Sequence, residues 1–406
     1  MNSVPRLATR ALVLAIDHLP VTVVTGARQT GKTTLVRDLV GDKSRHYLTL
    51  DDLDVLDQAT RSPDDVVERA PKLTLDEVQR APHLLLAVKR AVDRRRTHGQ
   101  FVLTGSANLL AMRDVADSLA GRAVYVTLWP LTRREQLGFG TAGLWSELIA
   151  APDESWREVL AASEAPPANW RDVAQRGGFP TPAIELETQE SRDLWFAGYL
   201  RTYLERDLRE LASISNVPDF RHLMQAAALR VGQLINQTEL GRDVALAQPT
   251  VHRWLNLLEL SYQIVRLPAY SVNRTKRLIK TPKLYWADPG LGLHIAGGGT
   301  PQGAHLENIV LHDLLVWRES LARRPEICYW RTATGEEVDF VIDLGTSVCG
   351  IEVKATRRPT TADIRTLQSF RADYGARARP SLLLHDGDVT EWLAPGILSA
   401  PWWRVL

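Results

Sequence analysis

The sequence predicts an α/β chain in three parts: a doubly wound, mostly parallel sheet around a glycine-bearing loop, a helical middle part ending in a helix–turn–helix, and a second α/β unit. Three observations predict it. A glycine-bearing loop, Gly26–Thr33, lies between a β-branched run and a helical pattern. Short apolar strands then alternate with helical patterns to about residue 127, as in a parallel sheet. The pattern restarts after Gly297-Gly-Gly-Thr-Pro301. A chain of 406 residues exceeds one ordinary core, and the parts are expected at 1–184, 185–296 and 297–406.

Composition narrows the partners. Lys and Arg number 49 against 48 Asp and Glu, a net charge of +1, so there is no strongly basic coat, though local basic patches remain compatible. Cys328 and Cys349 have no metal-type spacing, which implies a reduced, cytoplasmic protein without disulfides or zinc. The first apolar stretch, Ala11 to Leu19, is broken by Asp17 and His18 and does not read as a signal peptide. No eighteen-residue apolar run is present to span a membrane. Only eight residues are lysines, so a lysine at a candidate site, such as Lys32 or Lys354, marks a need for an ammonium.

Gly26-Ala27-Arg28-Gln29-Thr30-Gly31-Lys32-Thr33 spells G-x-x-x-x-G-K-[ST]. The strand Val21–Thr25 precedes it and a helical pattern from Thr34 to Val40 follows, the setting the motif needs. Backbone N–H groups of such a loop surround phosphate, Lys32 supplies a charge for the β/γ-phosphates, and Thr33 offers a Mg²⁺ ligand. The strand Lys72–Leu75 ends in Asp76-Glu77. Asp76 suits Mg²⁺, and Glu77 suits activation of an attacking water, which favours hydrolysis over small-molecule phosphorylation. Strand Gln100–Thr104 runs into Ser106 and Asn108, candidate sensors of the γ-phosphate; an ordinary helix cap is the bland alternative. Arg122 opens the strand Ala123–Thr127, where it is either an arginine finger for a neighbouring protomer's nucleotide or a surface residue.

These segments resemble bacterial and archaeal AAA-type ATPases that carry a C-terminal domain of uncharacterised function. The resemblance rests on GARQTGKTTL, LTLDEVQ, FVLTGSANLL, LAGR and LWPLTRRE, and later on GGFP at Gly177–Pro180, YLRTYLERDL at Tyr199–Leu208 and KLYWADPGL at Lys283–Leu291. It covers nearly the whole chain. It implies an AAA-like ATP-binding fold and specifies no activity for the rest.

Residues 185–211 read as a charged helix, with Arg192, Arg201, Arg206 and Arg209 as lid candidates. Leu229–Ile235, Thr238–Val244 and Pro249–Leu260 follow in a helix–turn–helix pattern, with Pro249 at a helix start and Val251, Leu255 and Leu258 as a buried stripe. Thr250, His252, Arg253 and Asn256 fall mainly outward, where a recognition helix meets DNA. Strands Tyr262–Leu267 and Pro282–Trp286 flank a basic stretch containing Arg274, Lys276, Arg277, Lys280 and Lys283, a winged-helix pattern that suits phosphate contacts. A protein-interaction module is the alternative.

The last part reads α-β-β-β-α-β: helix His305–Trp317 with Glu307, strands Ile327–Arg331, Val338–Asp343 and Cys349–Lys354, helix Ala362–Tyr374 and strand Ser381–His385. With Asp339 and Glu352-x-Lys354 on adjacent strands it resembles the PD-(D/E)xK nuclease superfamily. Asp339, Glu352 and Glu307 would bind Mg²⁺ or Mn²⁺ through oxygen, and Lys354 would stabilise the attacking water or the transition state. The expected protein is therefore an ATP- and Mg²⁺-dependent ATPase that binds DNA and forms homo-oligomers through its ATPase domain, with a nuclease-like C-terminal domain. The alternatives are a non-nucleolytic DNA-binding regulator and a signalling or adaptor ATPase.

Overall fold

Five short strands form one parallel sheet in the order β2–β3–β4–β1–β5: β1 is Val21–Thr25, β2 His46–Thr49, β3 Leu73–Asp76, β4 Phe101–Thr104 and β5 Ala123–Thr127. The structure is a computed structural model that describes residues 4–39, 44–105, 119–202, 216–272 and 280–406. Strands β1, β3 and β4 are buried at every position, as parallel strands covered on both faces must be. Helix Leu84–Arg94 buries Leu84, Leu85, Val88, Ala91 and Val92, an i, i+3, i+4 stripe. The pairings Leu75↔Leu103 and Val24↔Thr104 set the C-terminal ends of β3, β4 and β1 side by side. That edge carries the phosphate loop. This is the expected mixed α/β fold with a parallel sheet.

In the middle part, helices Gln189–Thr202, Val217–Ala228, Gln237–Asp243 and Gln248–Leu260 precede an antiparallel pair, β6 (Ile264–Leu267) and β7 (Lys283–Trp286). Residues 229–235 lie between helices. The helix ends at Ala228, and Gly232 adopts φ +76. Strand β6 starts two residues late, because Tyr262 lies at φ +55, outside the β region. Val251, Leu255 and Leu258 are buried as expected, joined by Trp254.

The last part has the expected order: helix Gly303–Glu319, strands β8 (Glu326–Arg331), β9 (Glu337–Asp343) and β10 (Val348–Lys354), helix Arg365–Tyr374 and β11 (Ser381–His385). Strands β12 (Glu391–Ala394) and β13 (Ile397–Pro401) complete a mixed sheet, β12–β13–β11–β10–β9–β8.

Packing joins the segment before residue 184 to the last part of the chain. Trp145, Trp156 and Trp170, from three short helices after the first sheet, share one core with Leu314, Ile351 and Trp402. The first sheet's own apolar core draws on residues up to Leu128. Gly177 and Gly178 belong with the middle part. The buried carboxylate of Asp288 accepts the N–H of Gly178 at 2.6 Å and caps its own helix at Leu291 N, 2.8 Å. A Cβ on Gly177, itself at φ +68, would lie 2.4 Å from that carboxylate. The GGFP and ADPG segments are therefore two halves of one buried contact.

Asp313, in helix Gly303–Glu319, ties the same region together. Its Oδ1 accepts the Gly143 N–H at 2.7 Å and the Trp145 indole N–H at 2.6 Å. Burial pushes this carboxyl up to about 6, against the pull of those two bonds. A carboxyl with a raised folded pKa contributes stability that is complete below its unfolded value of 3.8 and is lost as pH rises through about 6. Asp313→Asn should therefore lose less stability than the native chain between those two pH values. Denaturant midpoints across the window would show it, and identical pH slopes would exclude the effect.

Candidate functional site

The chain leaves β1 at Gly26, with φ +140. A Cβ there would sit 2.3 Å from the carbonyl oxygen of Leu128, so only glycine fits beside the end of β5. Thr30 closes the loop by donating its hydroxyl to the Ala27 carbonyl at 3.0 Å. Lys32 is buried, and its ammonium folds back across the loop to the carbonyls of Ala27 at 2.7 Å and Gly26 at 3.1 Å. Arg28 is half-buried, while Gln29 and Thr34 are exposed. Lys32–Thr34 form a helical turn that continues as a π-helical turn at Leu35–Leu39.

Asp76 meets this loop from the end of β3. Its Oδ2 accepts the Thr33 hydroxyl at 2.9 Å and the Tyr47 phenol at 2.7 Å, and its Oδ1 accepts the Thr104 hydroxyl. Burial, and then Asp76, raise the Tyr47 phenol above its ordinary pKa. The adjacent hydroxyl and carboxylate of Thr33 and Asp76 are hard oxygen donors beside the phosphate loop, a set that fits Mg²⁺. Glu77 lies at φ +58, a left-handed conformation that costs about 1–3 kcal/mol in a non-glycine residue. Its N–H donates to Thr104 Oγ1 at 3.2 Å, and its carboxylate accepts the Gln79 side-chain amide.

Sequence reasoning passed over Arg6. This buried guanidinium donates to the Thr30 carbonyl at 2.8 Å, to the Trp129 carbonyl at 2.6 Å and to Glu135 Oε1 at 3.3 Å. It thus fixes the back of the phosphate loop. A second overlooked residue, Tyr262, bonds Thr25 Oγ1 at 2.9 Å, directly before Gly26. Neither residue carries a local motif that could have revealed it.

Other expected residues are dispersed. Arg122 pairs with Asp93 of its own chain at 2.6 Å on an exposed surface. Ser106 and Asn108 lie outside the described residues, as do Arg206, Arg209, Arg274, Lys276 and Arg277. Arg192 is committed to the carbonyls of Pro182 and Leu186, and Arg201 is exposed. On helix Gln248–Leu260, His252 and Arg253 are exposed, whereas Thr250 and Asn256 are half-buried. Asn256 accepts from Arg266 at 2.7 Å.

The C-terminal carboxylates do converge. Glu352 Oε1 lies 2.6 Å from Lys354 Nζ, as period-two alternation on β10 requires. Asp339 Oδ2 accepts the Val353 N–H at 2.9 Å. Glu307 Oε2 accepts the Tyr285 phenol at 2.8 Å. Burial and then Asp339 raise the carboxyl pKa of Glu352, with Lys354 opposing. The same two causes raise Glu307, with Lys283 opposing. The position of Lys283 corrects its assignment to a phosphate-contacting wing. It is 2% exposed, and its ammonium lies 2.5 Å from Glu337 Oε1, 3.4 Å from Asp339 Oδ1 and 3.8 Å from Glu307 Oε2. Burial lowers its pKa, and Asp339, Glu307 and Glu337 more than offset that. Among the described residues, no group of three or more His, Cys, Asp or Glu is arranged to hold a metal ion. The set as it stands fits an ammonium, not a divalent cation.

The parallel sheet, the phosphate loop and the Thr33–Asp76 contact define a P-loop nucleotide-binding domain of the AAA type. Family models agree: an AAA domain matches residues 18–137, and domains of unknown function (DUF8612 and DUF4143) match 167–302 and 302–403. Uncharacterized proteins of Mycobacterium tuberculosis and Mycobacterium bovis are each 33% identical over 380 residues, covering 91% of this chain and 77% of theirs. The chain belongs to the same family as these mycobacterial proteins. An uncharacterized protein of Haemophilus influenzae is 24% identical over 281 residues, covering 67% of this chain and 63% of its own. A Walker-type ATPase of Pyrococcus abyssi superposes with a TM-score of 0.43 at 16% identity, covering 71% of this chain and 94% of that one. Among the described residues no helix is long and apolar enough to cross a membrane.

Arg6→Ala should cost about 3 kcal/mol, because it leaves Glu135 buried without its cation. It should also weaken nucleotide binding by loosening the Thr30 carbonyl. Denaturant midpoints and titration with a fluorescent ATP analogue measure the two effects. Native affinity in a destabilised variant would limit Arg6 to stability.

Proposed function

We propose that the chain hydrolyses ATP at the Gly26–Thr34 loop. The single observation that carries this is the Thr33–Asp76 hydrogen bond, which joins the phosphate loop to the Asp76-Glu77 strand end. Lys32 would leave the loop carbonyls for the β/γ-phosphate oxygens. Thr33 and Asp76 would hold Mg²⁺, which supplies charge neutralisation on the phosphates. Glu77 would take the proton of a water whose oxygen attacks the γ-phosphorus while the bond to the bridging oxygen of ADP breaks. Lys32→Ala should abolish ATP binding. Glu77→Gln should keep binding and lower turnover by about a hundredfold or more. Native turnover in Glu77→Gln would remove Glu77 as the base.

A second reading adds nucleic acid. Its support is the convergence of Glu307, Asp339, Glu352 and Lys354 in a unit whose order of elements resembles the PD-(D/E)xK superfamily, together with the exposed His252 and Arg253 on helix Gln248–Leu260. The middle part would act as a winged helix on DNA and the last part as a nuclease-like module. ATP turnover would regulate both, in a homo-oligomer with Arg122 at the interface. In the structure the carboxylates embrace an ammonium. Neutralising Arg274, Lys276 and Arg277 together should weaken DNA binding and lower its salt slope by about 0.9 for each phosphate no longer neutralised. An unchanged affinity and slope would favour the adaptor alternative.

A further inference from the structure

Strand β7 carries two side chains into the C-terminal carboxylate cluster. Alternation along the strand puts Lys283 and Tyr285 on one face, and Leu284 and Trp286 on the other. Leu284 and Trp286 pack in the core of the middle part. Lys283 meets Glu337, Asp339 and Glu307, and Tyr285 donates to Glu307. Asn308 binds the strand's edge, accepting from Trp286 N at 3.1 Å and donating to its carbonyl at 2.7 Å. The cluster therefore reaches across two parts of the chain.

The oxygens that would face a metal ion are unevenly engaged. Asp339 Oδ1 faces the Lys283 ammonium, and Glu307 Oε2 faces both Lys283 and the Tyr285 hydroxyl. Glu352 Oε2 is buried and accepts no hydrogen bond. Glu352 as a whole is 4% exposed, so water reaches it little. A buried carboxylate oxygen without a donor is costly, and this one belongs to a cluster in which Asp339 Oδ1 and Glu307 Oε2 are covered from strand β7. A divalent ion shared by these three residues would stand within a few ångströms of the ammonium, and like charges that close repel strongly in a buried site.

We propose that Lys283 is the resident cation of this cluster, and that with Tyr285 it excludes a divalent metal ion for as long as strand β7 stays docked. The inference rests on the reading of Glu307, Asp339 and Glu352 as metal ligands. Metal loading and β7 docking are then alternatives. Because Lys283 and Tyr285 are two residues apart on one strand, a single displacement frees both ligand carboxylates. Lys283 thereby decides which cation the site takes, and the middle part controls access to it.

The test is Mn²⁺ titration calorimetry on the full chain without nucleotide, comparing native protein with Lys283→Met and Lys283→Gln. Circular dichroism and ATP-analogue binding check the fold. Removing the competing ammonium should tighten Mn²⁺ binding at least about tenfold, and adding Glu352→Gln should abolish the gain. Native protein that binds Mn²⁺ as tightly as the variants, with the binding lost in Glu352→Gln, would overturn the role of Lys283 and leave the metal reading standing. Folded variants that bind no Mn²⁺ would overturn both. If neither Lys283 variant folds, the native chain decides through amine acylation of Lys283 read by mass spectrometry. Labelling should rise in step with Mn²⁺ occupancy. Bound Mn²⁺ with unchanged labelling would mean that the two cations coexist, and no bound Mn²⁺ at the highest concentration would remove the metal reading.

Discussion

The first and last parts of this chain depend on one buried turn, Thr132–Glu135. Charged groups taken out of water must be paired or fully hydrogen-bonded, and this turn holds two arginines and a glutamate that are all buried. Thr132 and Glu135 form a capping box, with the Thr132 hydroxyl accepting from Glu135 N at 3.0 Å and Glu135 Oε2 accepting from Thr132 N at 2.9 Å. The other Glu135 oxygen takes the Leu7 N–H and the Arg6 guanidinium, and Arg6 reaches the phosphate loop. Arg133 donates to the carbonyls of Trp403 and Leu406, and Arg134 to Ser163 and the Arg404 carbonyl. Burial holds the Arg133 guanidinium down to about 10, with Arg134 and Arg176 adding to the effect. Most of these bonds form only if the N-terminal segment, the phosphate loop and the last helix are all in place. Placement of the phosphate loop and packing of the C-terminal core are thus one problem.

That coupling changes how the modular organisation is understood. Sequence order suggests three beads on a string. In the structure, Trp145, Trp156 and Trp170 leave the ATPase part for the C-terminal core, and strand β7 sends Lys283 into the carboxylate cluster. Tyr262 joins the end of β1 to the middle part, and Asp288 joins that part to Gly178. The first of these hydrogen bonds is partly buried and the second fully so, and breaking the second leaves a buried carboxylate short of a donor. A nucleotide at the phosphate loop would sit next to Thr25 and Thr30, which are held by Tyr262 and Arg6. The physical connections needed for communication between the parts are short.

The sequence by itself determined whatever depends on neighbours along the chain. Glycines at Gly26 and Gly31, Lys32 and Thr33 are read directly, because a phosphate loop is built from eight consecutive residues. The strands β1 and β5, the stripe of helix Gln248–Leu260 and the pairing of Glu352 with Lys354 follow from periods of 2 and 3.6. Tertiary structure alone decided what those residues meet. Lys283 looks like one more surface cation in a basic stretch, yet it is buried among carboxylates that lie up to 56 positions away. Arg6 has no motif, and its partners are 24 to 129 positions distant. The GGFP and ADPG segments were visible as motifs but not as partners, since Asp288 and Gly178 are 110 positions apart. The reason is the range of the forces. Local propensity and periodicity act over a few residues. The desolvation cost of a buried charge has no sequence range, and it is settled by whichever partner the packed core brings within about 3 Å.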